Sequence, residues 1–248
     1  MTESGRQGAA EDARLVWHEV ECGGYAADLP LWEELTDAAG GPVLDLGCGT
    51  GRVALHLARR GHRVLGLDRE PSFVATLNAH GTGLPVEAEV GDAREFALGA
   101  ELALALAPMQ LLQLFANAEE RLRCMRCVAA HLAPGGLAAF AIVEAMPAPV
   151  DALPPLPDTR EVDGWVYSSL PVAARVDDEA IAVRRLRQTV SPNGELSEEV
   201  DEIRLSRLDA ATVEAEAADV GLAAAGRRSI PSTEAHVGST AVLLAKEA

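Results

Sequence analysis

The chain has 248 residues, 48% of them hydrophobic, which is enough for a substantial core in one α/β domain. Its 38 acidic and 21 basic side chains give a formal net charge of −17. This charge provides no general attraction to phosphate backbones, so we expect no nucleic-acid partner. No apolar run approaches the roughly 18 residues of a membrane span, and the first residues show no signal-peptide pattern. We therefore expect a cytoplasmic protein without a membrane partner.

The N-terminal region has two parts. Residues 1–12 are polar and rich in glycine and alanine, and their composition predicts a disordered tail. Apolar residues between Leu15 and Leu35 recur at helical spacing and predict helices that pack over the entrance of a site. We expect residues 13–248 to form a single domain.

From Val43 onward, short apolar runs alternate with helical patterns, which is typical of βα units and a parallel sheet. Helices are predicted at Gly51–Arg60, Pro71–His80 and Ala118–Leu132, and a shorter one within Met109–Ala116. The first five strands are predicted at Val43–Leu46, Arg63–Leu67, Pro85–Val90, Leu102–Ala107 and Leu137–Val143.

The C-terminal half begins with the segment 146–157, whose five prolines predict a loop and a possible lid. Three β-type runs follow and predict an antiparallel meander at 161–208 that lies over an acceptor site. A helix from Asp209 to about Val220 and two strands complete the pattern. The predicted fold is a Rossmann-like α/β sheet of seven strands with helices on both faces and the meander inserted between the fifth and sixth strands.

Three glycines, Gly47, Gly49 and Gly51, follow the first predicted strand. Glycine lacks a Cβ atom, so the backbone there can approach a ligand closely, although a tight turn alone explains the same pattern. Asp45 lies in the strand beneath these glycines, where its carboxylate can bind loop amides or a ligand ammonium group. The Gly-x-Gly-x-Gly spacing differs from the Gly-x-Gly-x-x-Gly of dinucleotide sites and disfavours NAD.

Two further acids follow neighbouring strands. Asp68 ends the second strand 21 residues after Gly47, close to the offset at which an acid reaches ribose hydroxyls. Asp92 follows the third strand, where it can accept a hydrogen bond from an exocyclic amine. A solvated strand end and an ordinary turn are the alternative interpretations of these two residues. Together with the glycines, the two acids indicate a nucleoside site.

The run from Val43 to Arg52 resembles the first motif of class I S-adenosylmethionine-dependent methyltransferases, and the resemblance extends through Gly66-Leu67-Asp68-Arg69, Gly91-Asp92-Ala93 and Leu132-Ala133-Pro134-Gly135-Gly136. It implies S-adenosylmethionine as the cofactor. It also implies that Asp45, with the backbone of Gly47, Cys48, Gly49 and Gly51, holds the methionine part. By the same resemblance Asp68 binds the ribose, Arg69 flanks the adenine, Asp92 and Ala93 contact the adenine edge, and Met109 lies near the methyl group.

The predicted meander resembles that of small-molecule N-methyltransferases. This resemblance implies a small-molecule acceptor, namely an amine or hydroxyl of a metabolite. Candidate acceptor residues in the variable pocket are Tyr25, Gln110, Glu144 and Tyr167, and His18 and His236 lie in segments that can border it. Asp28 and Trp32 fall with Tyr25 where those enzymes close the cofactor site, but no role is transferred to the three residues, and a hydrophobic contact face is the alternative interpretation. No residue is assigned as a catalytic base.

The fourth predicted strand ends in Ala107-Pro108-Met109-Gln110, which departs from two known methyltransferase patterns. It lacks the Asp/Asn-Pro-Pro-aromatic signature of nucleic-acid amino-methyltransferases, and it has no acid for the metal that catechol-type enzymes need. We therefore expect no metal. Two alternatives to a small-molecule enzyme stay open: a non-catalytic regulatory module that binds S-adenosylmethionine, and a protein methyltransferase. The oligomeric state is not predicted.

Overall fold

The computed structural model describes residues 3–146, 156–234 and 236–247. Its first helix, α1, spans Glu3–Cys22 and therefore extends into the segment whose composition predicts a disordered tail. Alanines and acidic residues at positions 9–13 favour helix, and this continues α1 toward the N-terminus. The proline-rich segment 147–155 lies outside the described residues, so the loop and possible lid stay predictions.

The elements that follow alternate as predicted. The helices are α2 (Leu29–Ala39), α3 (Arg52–Arg59), α4 (Pro71–His80), α5 (Ala118–His131) and α6 (Ala210–Ala218), and Leu111–Leu114 forms one turn of 3-10 helix. The strands before the meander are β1 (Val43–Leu46), β2 (Val64–Asp68), β3 (Val86–Val90), β4 (Leu102–Ala107) and β5 (Leu132–Ile142). Those that follow are β6 (Asp158–Val162), β7 (Trp165–Val176), β8 (Ala180–Val190), β9 (Leu196–Ser206), β10 (Leu222–Ile230) and β11 (Ser239–Lys246).

Seven strands form one sheet in the order β10-β11-β5-β4-β1-β2-β3. The strands β1 to β5 are parallel, whereas β11 runs antiparallel to both of its neighbours. Because β10 is parallel to β5, the connection between β10 and β11 lies at the same edge as the carboxyl ends of the parallel strands. In open α/β sheets this edge is where ligands bind.

The core lies on both faces of this sheet. On one face α5 and α6 pack through Met125 and Val213, and on the other α2 and α3 pack through Trp32 and Leu57. Strand β1 is buried at all four of its positions, as expected for a strand covered on both faces. The predicted Rossmann-like sheet with helices on both faces is confirmed.

A second, antiparallel sheet has the order β6-β7-β8-β9 and follows the fifth strand, which confirms the inserted meander. It has four strands, not the three predicted, and begins at Asp158. Strand β6 escaped prediction because its sequence Asp-Thr-Arg-Glu-Val is almost entirely polar and it forms an edge of the sheet. Small apolar contacts of Ile181 and Leu205 with Val143 attach the meander to the main sheet.

Strand β5 begins earlier than predicted. The Pro134-Gly135-Gly136 sequence predicted a break before a strand starting at Leu137, but β5 already begins at Leu132. The pairing with β4 shifts register between Leu102 and Leu104, so the proline and glycines form an irregularity within the strand.

Candidate functional site

The glycine loop connects β1 to α3 at the carboxyl edge of the sheet. Its Gly47 and Cys48 amides both donate to the Leu67 carbonyl, at 2.8 and 3.1 Å, which fixes the loop against β2. Gly49 has φ +54° and Gly51 has φ +97°, backbone angles in the left-handed region that residues with a Cβ atom rarely adopt. A Cβ at Gly51 would lie 2.8 Å from Leu77 Cγ, so this glycine allows the close packing of the loop against α4.

Asp45 lies under the loop and is completely buried in β1. One carboxylate oxygen accepts from the Ala54 amide in the first turn of α3 at 3.0 Å, whereas the other, Oδ1, has no partner among the described residues. Burial raises the pKa of Asp45 to about 7. A buried acceptor without a partner beneath a glycine loop fits a ligand that carries its own donor, as the methionine part of S-adenosylmethionine does.

Asp68 shapes the loop from the end of β2. Its carboxylate accepts from the Gly49 amide and from the Glu70 amide, both at 2.9 Å. The acid therefore holds the glycine loop and the start of α4 together at the position where the resemblance implies ribose binding. Arg69 beside it is exposed.

Asp92 after β3 is bound to Arg94, which donates from its main-chain amide at 2.8 Å and from its guanidinium at 2.6 and 2.9 Å. These hydrogen bonds lower the pKa of Asp92 to about 2. Arg94 also donates to Glu120 at 2.6 Å, so the acid that is implied to contact the adenine is a fixed, ionised carboxylate. Ala93 and Met109 are both partly buried, each after a strand of the same sheet.

Helix α1 lies over the glycine loop. The His18 ring stacks on Phe73 at a centroid distance of 4.4 Å, and a Cβ added to Gly49 would collide with this ring. Glu19 accepts a hydrogen bond from the Thr50 hydroxyl of the loop. The position agrees with the predicted helices over a site entrance, but the contacts of His18 and Glu19 were not predicted.

The segment after α1 is tied to the loop through Arg52. Asp28 is fully buried and forms two hydrogen bonds with Arg52, at 2.6 and 2.8 Å, while its carboxylate also accepts from the Trp32 indole at 2.7 Å. Arg52 also donates to the Tyr25 carbonyl at 2.9 Å and lies over the Tyr25 ring. Tyr25, Asp28 and Trp32 thus lie together beside the glycine loop. Arg52 contacts Tyr25 and Asp28, and nothing in the sequence indicated this role for Arg52.

A cavity of about 410 Å³ lies next to this arrangement. Its walls come from the end of α1, residues 24–27, Asp158 at the start of β6, and Thr233 and His236 between β10 and β11. The polar side chains on its walls are Glu21, Tyr25, Asp158, Thr233 and His236. Glu21 and Asp158 were not predicted, because they lie far apart in the sequence and only the folding of the meander onto α1 brings them together.

The four candidate acceptor residues are placed differently. Tyr25 lines the cavity. Tyr167 packs edge-on against Trp17, at a centroid distance of 5.4 Å, and joins the meander to α1. Glu144 accepts hydrogen bonds from the Ala210 amide at 3.0 Å and from the Thr240 hydroxyl at 2.6 Å, so both of its carboxylate oxygens bind other parts of the protein. Gln110 has a left-handed backbone, with φ 40°, at the end of β4.

A left-handed backbone outside glycine is a strained conformation that often marks a functional segment. Gln110 therefore stays a candidate, although it is not among the residues that line the cavity.

Comparison with known proteins agrees with this geometry. Residues 43–136 match the family model described as a methyltransferase domain. The matched segment runs from β1 into β5 and contains the glycine loop, Asp68 and Asp92. This confirms the resemblance found in the sequence, together with S-adenosylmethionine as the cofactor that the domain and its buried site fit.

Solved structures support the fold over nearly the whole chain. The sugar N-methyltransferase KedS8 from Streptoalloteichus sp ATCC 53650 superposes with a TM-score of 0.72 at 18% identity, covering 95% of this chain and 93% of that one. CalS10, an amino pentose methyltransferase from Micromonospora echinaspora, gives 0.67 at 18% identity and covers 98% and 97%. At this identity the likeness shows the fold alone.

Among curated proteins, the cypemycin N-terminal methyltransferase of Streptomyces sp is 34% identical over 99 residues, which is 40% of each chain. This chain therefore matches less than half of the length of that relative. Within the described part of the chain, no helix is both long and apolar enough to cross a membrane.

Proposed function

We propose that the protein transfers a methyl group from S-adenosylmethionine to an amine of a small molecule. The observation that carries the proposal is the position of the cavity beside the glycine loop. Tyr25 lines the cavity, and its carbonyl accepts a hydrogen bond from Arg52, the residue that follows Gly51. A cavity of about 410 Å³ walled by a helix, a strand and a loop has the size of a small-molecule pocket.

The residues that would hold the cofactor are those that the methyltransferase resemblance implies. The buried Oδ1 of Asp45 and the backbone of Gly47, Cys48 and Gly49 would bind the methionine part, and Asp68 would bind the ribose. Asp92 and the Ala93 amide would contact the adenine. When bound, the cofactor supplies an electrophilic methyl group, and alignment and removal of water can provide most of the acceleration.

The choice of an amine over a hydroxyl draws on two similar structures. One is named a sugar N-methyltransferase and the other an amino pentose methyltransferase. A small amine fits the cavity wall, where the ionisable side chains of the described residues are acids, a tyrosine and a histidine. A protein acceptor would instead require a wide groove.

Calorimetric titration followed by a turnover assay tests the proposal. We expect S-adenosylhomocysteine to bind and NAD not to bind. Release of S-adenosylhomocysteine is then measured with a panel of small amines, each paired with its hydroxyl analogue, and with a protein extract. Turnover of amines supports the proposal. Binding without any turnover would indicate a regulatory module, turnover of proteins alone a protein methyltransferase, and failure to bind S-adenosylhomocysteine would overturn the proposal entirely.

A further inference from the structure

Two carboxylates line the cavity, and each is fixed from behind by an arginine. Glu21 accepts from Arg187 at 2.8 and 2.9 Å and from the Ser169 hydroxyl at 2.8 Å, and Asp158 is bound by Arg185. These hydrogen bonds lower the pKa of Glu21 although burial opposes the shift. Neither arginine lines the cavity itself, and no Lys or Arg is among the described residues that do. The cavity wall therefore presents two carboxylates that arginines hold in place.

His236 lines the same cavity, and hydrogen bonds hold its backbone in place. Its main-chain amide donates to the Thr233 hydroxyl at 2.9 Å, and its carbonyl accepts from the Thr233 amide at 2.9 Å. Its ring lies against Tyr25 at a centroid distance of 4.6 Å. Among the described residues, its ring nitrogens have no hydrogen-bond partner, so both remain available to a ligand.

The surroundings of His236 keep its ring neutral near pH 7. Partial burial lowers the pKa of His236 below the ordinary histidine value, and this effect exceeds that of the charges around it. The charges around the ring act in opposite directions: Asp158 and Asp28 raise the pKa of His236, and Arg185 and Arg52 lower it. Tyr25 and Glu21 line the same cavity. A neutral imidazole can accept a proton, whereas an imidazolium cannot.

We infer that this cavity binds the acceptor as an ammonium ion beside Glu21 and Asp158, and that His236 takes the proton which the acceptor must lose. The inference rests on the proposed function and deepens it. Glu21 and Asp158 attract and orient the cation, because fixed carboxylates bind ammonium groups through charge-assisted hydrogen bonds. His236, which lines the same cavity, acts as the general base.

The proton balance is simple. One N–H bond of the ammonium group breaks, its electron pair stays on nitrogen as the nucleophilic lone pair, and the proton moves to a ring nitrogen of His236. After methylation the acceptor is again a cation, and the imidazolium of His236 releases its proton to solvent. Each turnover thus releases one proton, and neither acid takes part in the proton transfer.

The first test compares His236→Gln with the matched control His80→Gln, an exposed histidine of α4. The acceptor is the best amine of the panel. We expect kcat of His236→Gln to fall about 100-fold, as for loss of a general base. The affinity for S-adenosylhomocysteine and the melting temperature should match those of the parent, which shows that the variant folds. The control should keep the parental kcat.

The pH profile provides a readout that a structural role would not change. In the parent, kcat should fall as the pH drops through the pKa of His236, below the ordinary histidine value, and this limb should disappear in His236→Gln. Histidine-labelled NMR of the parent should place the His236 titration at the same pH as the limb. The amine should shift the His236 signal, and its hydroxyl analogue should not.

Each contrary result points to a different error. Parental kcat and an unchanged pH limb in His236→Gln would overturn the role of His236 while leaving the proposed function intact. Binding of S-adenosylhomocysteine with turnover of hydroxyl analogues alone would overturn the ammonium site. Failure to bind S-adenosylhomocysteine would instead count against the proposed function.

Discussion

On the glycine-loop side of the crevice, the proposed cofactor site consists of main-chain atoms of residues 47–51, with the carboxylates Asp45 and Asp68 bound to neighbouring amides. On the cavity side, the proposed acceptor site consists of side chains from α1, the start of β6, Thr233 and His236. The first arrangement depends on a short stretch of sequence, and the second on three segments that lie far apart in the sequence. Under the proposed function, one side can remain constant for the cofactor while the other changes with the acceptor.

The ion pair between Asp28 and Arg52 joins the two sides of the crevice. Removing this pair should have the largest effect on stability. Asp28→Ala leaves Arg52, whose side chain is only 11% exposed, without its counter-ion and the Trp32 indole without an acceptor. We expect the free energy of unfolding to fall by about 3–5 kcal/mol, the usual consequence of removing one partner of a buried ion pair. Urea denaturation at pH 7 measures it.

The matched control is Glu34→Ala, which removes the exposed ion pair with Arg228. Surface pairs of this kind contribute little, so this variant should unfold like the parent. An Asp28→Ala protein as stable as the Glu34→Ala protein would show that the two sides of the crevice are not held together by this pair.

The loop side was accessible from the sequence because its geometry is local. Gly49 and Gly51 need left-handed backbone, and Asp45 and Asp68 flank them at fixed spacing, so residue types and intervals sufficed. Glu21 and Asp158 carry no such signal, since an acid in an amphipathic helix or an edge strand is usually a solvated residue. The tertiary contacts of Glu144 were equally invisible, because the Ala210 amide that it binds lies 66 residues away.

The second largest effect should be the loss of cofactor affinity in Gly49→Ala, a substitution in the glycine loop. Alanine at φ +54° is strained by about 1–2 kcal/mol, and its Cβ would collide with the His18 ring. We expect the affinity for S-adenosylhomocysteine, measured by calorimetry, to fall about 30-fold. The double variant His18→Ala/Gly49→Ala removes the collision and should recover part of the loss. An equal loss in both variants would assign it to backbone strain alone.

A smaller effect is expected for Asp68→Ala, which keeps the glycines but removes the carboxylate that binds the Gly49 and Glu70 amides. The loop loses two hydrogen bonds and the ribose loses its proposed partner, so affinity for S-adenosylhomocysteine should fall about tenfold. Glu87→Ala, at an exposed position of β3, is the control and should bind as the parent does. Parental affinity in Asp68→Ala would contradict the ribose assignment.

The smallest effect on stability is expected for Tyr167→Leu, on the cavity side of the crevice. The edge-on contact of Tyr167 with Trp17 attaches the meander to α1, and such aromatic pairs contribute about 0.5–1.5 kcal/mol. We expect a loss of about 1 kcal/mol in stability, with unchanged affinity for S-adenosylhomocysteine, and a double-mutant cycle with Trp17→Leu should return this coupling energy. If Tyr167→Leu instead abolishes turnover while stability is unchanged, Tyr167 contacts the acceptor, and the substrate role predicted from the sequence would replace the packing role that the structure favours.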